Sequence, residues 1–424
     1  MQGSLEVIIG KQGSGVTSTL RERYSPLQAT NKIPFIIFVH KDSFEAANEN
    51  TKKIYLNSKA RIVSSVDEIF SEMKGYKIEK NNGNRVSEVS QYQQIFIDGI
   101  HNFGDLKLIA LLESAAYNGK KVIVAGNTNP EQSELPYPLM PALIAKADGV
   151  TLLSESGNLE IITGCMFSSK SQKLARKLNS LKSKNYNVLA FKHSLDAERF
   201  NERRAFIRGQ SDDPYGFEAH TVSKVEEIEG IIEEFEKDRK IDYIGIDEIN
   251  FFQETELVNV NSYLPEKIFE LVVAHKNSVF NYLSPYEVLE ENIYFKKPKT
   301  QKLIENLSKK GIKTIISGLD TDYRGEPWNW FTIFCLDAKI SKLTAQCSEE
   351  GCLNNATKTM RLTYDENLGE YTPSKYNEPI VQVGTNIELH KHIYTPKCRE
   401  HHRVEYDKYD EQNFNLNPKI IFQF

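Results

Sequence analysis

The chain has 424 residues, 40% apolar, 26% charged and 10% aromatic, with a formal net charge of −5. That length supplies two or three domains with full cores, and the charge leaves no electrostatic case for duplex nucleic acid or an anionic membrane surface. No apolar run approaches the ~20 residues that span a bilayer, MQGSLEVIIGKQGSG lacks the apolar core of a signal peptide, and five cysteines argue against a disulfide scaffold, so a cytoplasmic location is expected.

In chain order, the first predicted unit is GSLEVIIGKQGSGVTSTL at 3–20, a strand running through a glycine turn into a helix. An apolar strand with an acidic end, IFIDGIHNF, follows at 95–103, and a strand ending in glycine, KKVIVAGNT, at 120–128. The chain then repeats itself. GNLEIITGCMFSSKSQKL at 157–174 aligns without gaps on 3–20, IGIDEINFF at 244–252 on 95–103, and IKTIISGLD at 312–320 on 120–128. Three matches in one order indicate a diverged duplication. Amphipathic helices are predicted over 224–238 and 299–311, the latter stopped at Gly311. Buried β-branched strands alternating with helices predict an α/β fold: a P-loop parallel sheet with helices on both faces, duplicated in tandem. Ligands are then expected at the carboxyl ends of the strands. The predicted boundaries are 1–153 for a degenerate copy, 154–344 for a working copy with an insertion at about 258–298, and 345–424 for a zinc ribbon with a long polar loop and a C-terminal tail.

A phosphate-binding loop reads G-x-x-x-x-G-K-[ST]. GKQGSGVT keeps Gly15 but has Val16 at the lysine position, whereas GCMFSSKS, Gly164 to Ser171, keeps Lys170 and Ser171 but has Ser169 for the last glycine. Losing lysine removes the charge that meets the β- and γ-phosphates. Losing glycine only strains the frame, by about 1–3 kcal/mol if that residue needs positive φ. The second loop is therefore expected to bind ATP through Gly164, Met166, Phe167, Ser168, Ser169, Lys170 and Ser171, with the Ser171 hydroxyl on Mg2+. Asp247, ending its strand, is placed to hold Mg2+, and Glu248 to take a proton from an attacking hydroxyl. Gly99 stands at the Glu248 position of the first copy, so catalysis is expected in the second copy alone.

Cys347-x4-Cys352 and Cys398-x2-His401 carry a tetrahedral ligand set for structural Zn2+, two knuckles joined by a long loop. Spacing favours His401 over the adjacent His402. Cys165 and Cys335 read as ordinary buried thiols, and His390 and His392 as solvated side chains on the loop.

GCMFSSKS, IDEINFF, ISGLDTDYRGEPW, LTAQC and VQVG…YTPKCREHH together resemble the type II thymidine kinases, over residues 157 to about 402. The resemblance implies transfer of the γ-phosphate of ATP to the 5′-hydroxyl of thymidine, and of deoxyuridine. It gives Glu248 the role of base and Asp247 that of Mg2+-associated acid. It places Met166, Asp196, Arg199, Phe251, Leu319, Tyr323, Trp328 and Thr359 around the nucleoside, with Tyr394 on a lasso closing over it, and favours His401 as zinc ligand. Departures are Ser169, Trp328 in place of the usual Phe, one extra residue in the Asp196–Arg199 element, and the insertion. Such kinases assemble as tetramers, so a tandem chain is expected to form a homodimer imitating one. The competing expectations are a non-catalytic, nucleotide-binding regulator, which would not need Glu248, and a zinc-ribbon nucleic-acid binder, which the charge disfavours.

Overall fold

The strands form where the sequence runs apolar on both faces. In Ser4–Gly10, Leu5, Val7, Ile8 and Ile9 are all buried, the pattern of a strand covered by helices above and below. The computed structural model describes residues 2–30, 32–74, 80–81, 84–85, 92–131, 133–153, 157–199, 206–207, 216–276, 281–381 and 391–406. They divide into two compact units, one holding Met1–Ser154 with Asn259–Tyr294, the other Glu155–Val258 with Phe295–Asp407.

The first unit carries a six-stranded parallel sheet of β1 (Ser4–Gly10), β2 (Phe35–His40), β3 (Arg61–Val63), β4 (Gln94–Asp98), β5 (Lys121–Asn127) and β6 (Gly149–Leu152), ordered 3-2-4-5-1-6. Helices α1 (Val16–Thr30), α2 (Glu49–Asn57) and α3 (Lys107–Tyr117) belong to it. Ile8, Leu20, Tyr24, Val39, Tyr55 and Phe96 form one face of its core.

The second unit carries β7 (Leu159–Gly164), β8 (Val188–His193), β9 (His220–Val222), β10 (Tyr243–Asp247), β11 (Lys313–Gly318) and β12 (Ala338–Leu343), ordered 9-8-10-11-7-12, again all parallel. Position for position this is the order of the first sheet. Helix α4 (Lys170–Lys182) packs on β7 and β11 through Leu174, Ala175 and Leu178, and α5 (Val225–Glu236) lies where the helical period predicted it. The insertion region contains a helix, α6 (Glu266–His275), and its residues 259–294 pack with the first unit. Beyond it, α7 (Lys299–Lys309) ends before Gly311 at φ 74°, a left-handed stop that glycine adopts without strain. An antiparallel sheet of β13 (Lys358–Asp365), β14 (Glu370–Pro373) and β15 (His392–Lys397) completes the second unit. Among the described residues, no helix is long and apolar enough to cross a membrane.

Candidate active site

β7 ends at Gly164, and the chain turns through Cys165–Ser169 into the amino end of α4. Two non-glycine residues in this turn are left-handed, Phe167 at φ 64° and Ser169 at φ 63°. The matching residues of the first loop are glycines in the same conformation, Gly13 at φ 82° and Gly15 at φ 91°. The two loops thus share a backbone path, and the second accepts the strain that Ser169 implies. Ser169 does not recover it as a helix cap, since its side chain makes no capping hydrogen bond. Ser169→Gly should therefore stabilise the protein by up to about 1 kcal/mol, read as a higher denaturant midpoint. An unchanged midpoint would contradict the strain.

Inside the turn, Lys170 Nζ donates to the Cys165 carbonyl at 2.8 Å, and Ser168 Oγ donates to the same oxygen at 2.8 Å. Lys170 is buried there, its charge held by a main-chain acceptor that an incoming phosphate can replace. Ser171 Oγ donates to Asp247 Oδ1 at 3.2 Å, and the Ser317 hydroxyl donates to the same carboxylate oxygen. A hydroxyl at the start of a helix and a carboxylate at the end of the next strand but one thus converge, the donor pair that suits Mg2+ accompanying a triphosphate. Burial raises the Asp247 pKa.

Glu248 follows Asp247 in a left-handed conformation, φ 53°. Removal from water, then the Asp196 and Asp247 carboxylates, push its pKa up to about 8 against the opposing pull of Lys170 and Lys192. From about 4.5, the ordinary glutamate value, to about 8, the folded protein keeps a proton that the unfolded chain releases. Stability therefore falls as pH rises through that window. The Tm advantage of Glu248→Gln over wild type should grow from pH 5 to pH 8; parallel melting curves would disprove the perturbed carboxyl.

Asp196 lies in the short helix Ser194–Arg199 and pairs with buried Lys192 at 2.7 Å. Lys192 sits in β8 directly opposite Asp247 in register. The sequence reading missed it. A signal existed: in the first unit the residue opposite the matching Asp98 is Val39, so Lys192 is a second cation present in one unit and absent from the other. The side chain of Arg199 lies outside the described residues.

Around the nucleoside positions, Met166 N–H donates to Thr359 Oγ1 at 3.0 Å, joining two residues 193 apart in the chain. Phe251 meets Trp328 edge-on at 6.3 Å and His193 at 5.6 Å. Trp328 is buried, and its indole N–H has no partner among the described residues. Leu319 is fixed through its main chain, accepting Trp330 Nε1 at 2.9 Å while its N–H donates to Asn250 Oδ1 at 2.9 Å. The Tyr323 hydroxyl donates to the Lys375 carbonyl at 2.7 Å, and the Arg361 guanidinium lies 3.7 Å from its ring centroid. Tyr394 stands in β15 opposite Arg361. Residues 382–390 of the lasso, His390 included, lie outside the described residues.

Cys347, Cys352, Cys398 and His401 come together with all ligand atoms within 4.8 Å of one another. Cys352 Sγ lies 4.0 Å from Cys398 Sγ, and His401 Nδ1 lies 3.3 Å from Cys398 Sγ and 3.7 Å from Cys347 Sγ. A tetrahedral site with Zn–S of about 2.3 Å has edges of about 3.8 Å, so the donor set fits. His402 is turned away, its Nε2 bonded to the Tyr323 carbonyl at 2.9 Å. Cys165, from the phosphate loop, packs in one apolar cluster with Cys347, Cys398 and Ala356, and its thiol donates to the Ala356 carbonyl at 3.3 Å. The knuckle and the loop share a core.

The first unit presents the same stage without the actors. Asp98 ends β4, and both Thr17 and Tyr55 bond to it, the latter at 2.6 Å. Val16 and Val39 replace the two lysines. A Cβ on Gly99 would fall 2.0 Å from the Ser43 hydroxyl, so the position of Glu248 has lost its room as well as its side chain.

A family model described as thymidine kinase matches residues 157–288 and 286–402, more than half of the chain and the whole of the site just described. The chain belongs to the thymidine kinase family. The matched stretch contains the Lys170 turn, the Asp247–Glu248 strand end and all four residues of the Cys/His cluster.

Proposed function

We propose that this chain is a type II thymidine kinase in tandem form: it transfers the γ-phosphate of ATP to the 5′-hydroxyl of thymidine, and of deoxyuridine, using the second unit alone. One observation carries the reading. Lys170, Ser171, Asp247 and Glu248 gather at the carboxyl ends of β7 and β10, whereas Val16 and Gly99 occupy the equivalent places in a sheet of the same order.

Phosphoryl transfer asks little covalent work of a protein; it asks for alignment and balanced charge. Lys170 exchanges its loop carbonyl for phosphate oxygens. Mg2+, held by Asp247 and Ser171, would supply neutralisation of the triphosphate. Glu248 accepts the proton of the 5′-hydroxyl as that oxygen meets phosphorus, and Lys192 holds Asp196 beside it. Met166, Phe251, Trp328 and Thr359 orient the base, and Leu319 and Tyr394 border it. The four-ligand cluster leaves no open coordination position, which suits structural Zn2+ and not a catalytic ion. Five cysteines outside any disulfide fit a reducing cytoplasm.

Incubating the protein with labelled thymidine, ATP and Mg2+ tests the reading. Labelled monophosphate should form, and Lys170→Met should reduce kcat/KM by about 1,000-fold while Val16→Lys restores none of it. Turnover that survives Lys170→Met would end the assignment.

A further inference from the structure

The excursion at 259–294 interrupts the second unit in sequence yet packs with the first. Its contacts there are not scattered. Lys267 Nζ lies 2.5 Å from Asp42 Oδ2. Helix α6 passes so close over Gly104 that a Cβ there would fall 3.1 Å from Leu271 Cδ2 and 3.5 Å from the Ala274 methyl. Tyr286 is buried, and its hydroxyl donates to the Pro136 carbonyl at 2.7 Å.

Asp42 (in the short helix Lys41–Ala46), Gly104 and Pro136 lie in the segments that follow β2, β4 and β5. These are the carboxyl ends of the first sheet. In the second sheet the corresponding segments carry Asp196 after β8, Phe251 after β10, and Pro327–Trp328 after β11. The correspondence extends to side chains. His40 meets Phe103 edge-on at 4.6 Å as His193 meets Phe252 at 4.7 Å. His101 Nδ1 accepts from Asn127 N–H as Asn250 Oδ1 accepts from Leu319 N–H. Pro136–Tyr137 repeats the Pro–aromatic pair of Pro327–Trp328.

We propose that segment 259–294 is the permanent occupant of the first unit's cleft, seated where a nucleoside would sit in a working copy, and that this unit serves as a docking module closed to nucleosides. The phosphate side of the same cleft is already filled, by Tyr55 on Asp98 and by Ser43 against Gly99. The excursion covers the other side through Leu271 over Gly104 and Tyr286 on the Pro136 carbonyl, with Ile268, Val272 and Leu283 also buried. Because α6 has 10 residues, it is too short to persist as a helix in water without a partner surface. Its helicity therefore reports docking. This holds whatever chemistry the second unit performs, since only the matching sheets are needed.

Hydrogen–deuterium exchange on the full-length chain tests it. In Gly104→Leu the new side chain takes the place of Leu271, and amides of 266–275 should exchange at least tenfold faster while β1 and β5 keep their protection. Tyr286→Phe, which loses one buried hydrogen bond, should accelerate the same amides by roughly fivefold. If Gly104→Leu also releases β1 and β5, the Tyr286→Phe result decides alone. Unchanged exchange in α6 overturns the proposal. So does protection of residues 99–104 or 133–139 when wild type is saturated with thymidine.

Discussion

Glu248→Gln should lower thymidine turnover by at least about 100-fold and leave thymidine affinity within about threefold. The amide keeps the size and hydrogen-bonding reach of the carboxylate but cannot accept the hydroxyl proton. It also suits the left-handed backbone at φ 53° as well as glutamate does, so the fold is not the cause of the loss. The charge around it sharpens the expectation. Three carboxylates, Asp196, Asp247 and Glu248, share the site with Lys170 and Lys192, and burial keeps Glu248 protonated up to about pH 8 in the free protein. A group so placed lies close to the pH at which a base is most effective. Steady-state turnover and calorimetric thymidine binding on the same preparation are the measurements. Turnover within tenfold of wild type would remove Glu248 from the chemistry.

Chelation of the proposed Zn2+, or Cys398→Ser, should abolish activity and lower Tm by more than about 10 °C, because structural Zn2+ contributes about 10–16 kcal/mol in zinc-finger peptides. The loss of activity follows from the shared core. Cys165 of the phosphate loop packs on Cys347 and Cys398, and the next residue, Met166, is tied to Thr359 at the start of β13. Loosening the knuckle therefore frees the turn that presents Lys170, some distance in sequence from any zinc ligand. Zinc content, melting temperature and turnover should fall together on chelation. Protein free of zinc with unaltered kinetics would show that loop and knuckle are independent.

The site was readable where chemistry demands fixed spacing. Lys170 and Ser171 after a glycine-ending strand, and Asp247–Glu248 at the end of another, stand out against the first half because Val16 and Gly99 interrupt the same pattern. The parallel sheets followed from the apolar, β-branched strands for the same reason. Lys192 escaped notice because a lone lysine in VLAFKH looks like an edge of an apolar run; only strand register puts it opposite Asp247. The strain at Ser169 was a conditional statement in sequence and became definite once its φ was known. The contact of Met166 with Thr359 spans 193 residues, and no local period encodes it. Segment 259–294 was opaque for a related reason. Its apolar residues, Ile268, Leu271 and Val272, match a surface supplied by residues 42–136, and half of that pattern lies elsewhere in the chain.

The discontinuity of the first unit also bears on its synthesis. A ribosome adding about 5–20 residues per second needs roughly 7–28 s to travel from β6 to Tyr294. Throughout that interval the finished first sheet waits with its cleft uncovered, while β7, β8 and β10 emerge in the same strand order. Delivery of 259–294 then closes that cleft, so the first unit reaches its final form only after residue 294 has left the exit tunnel.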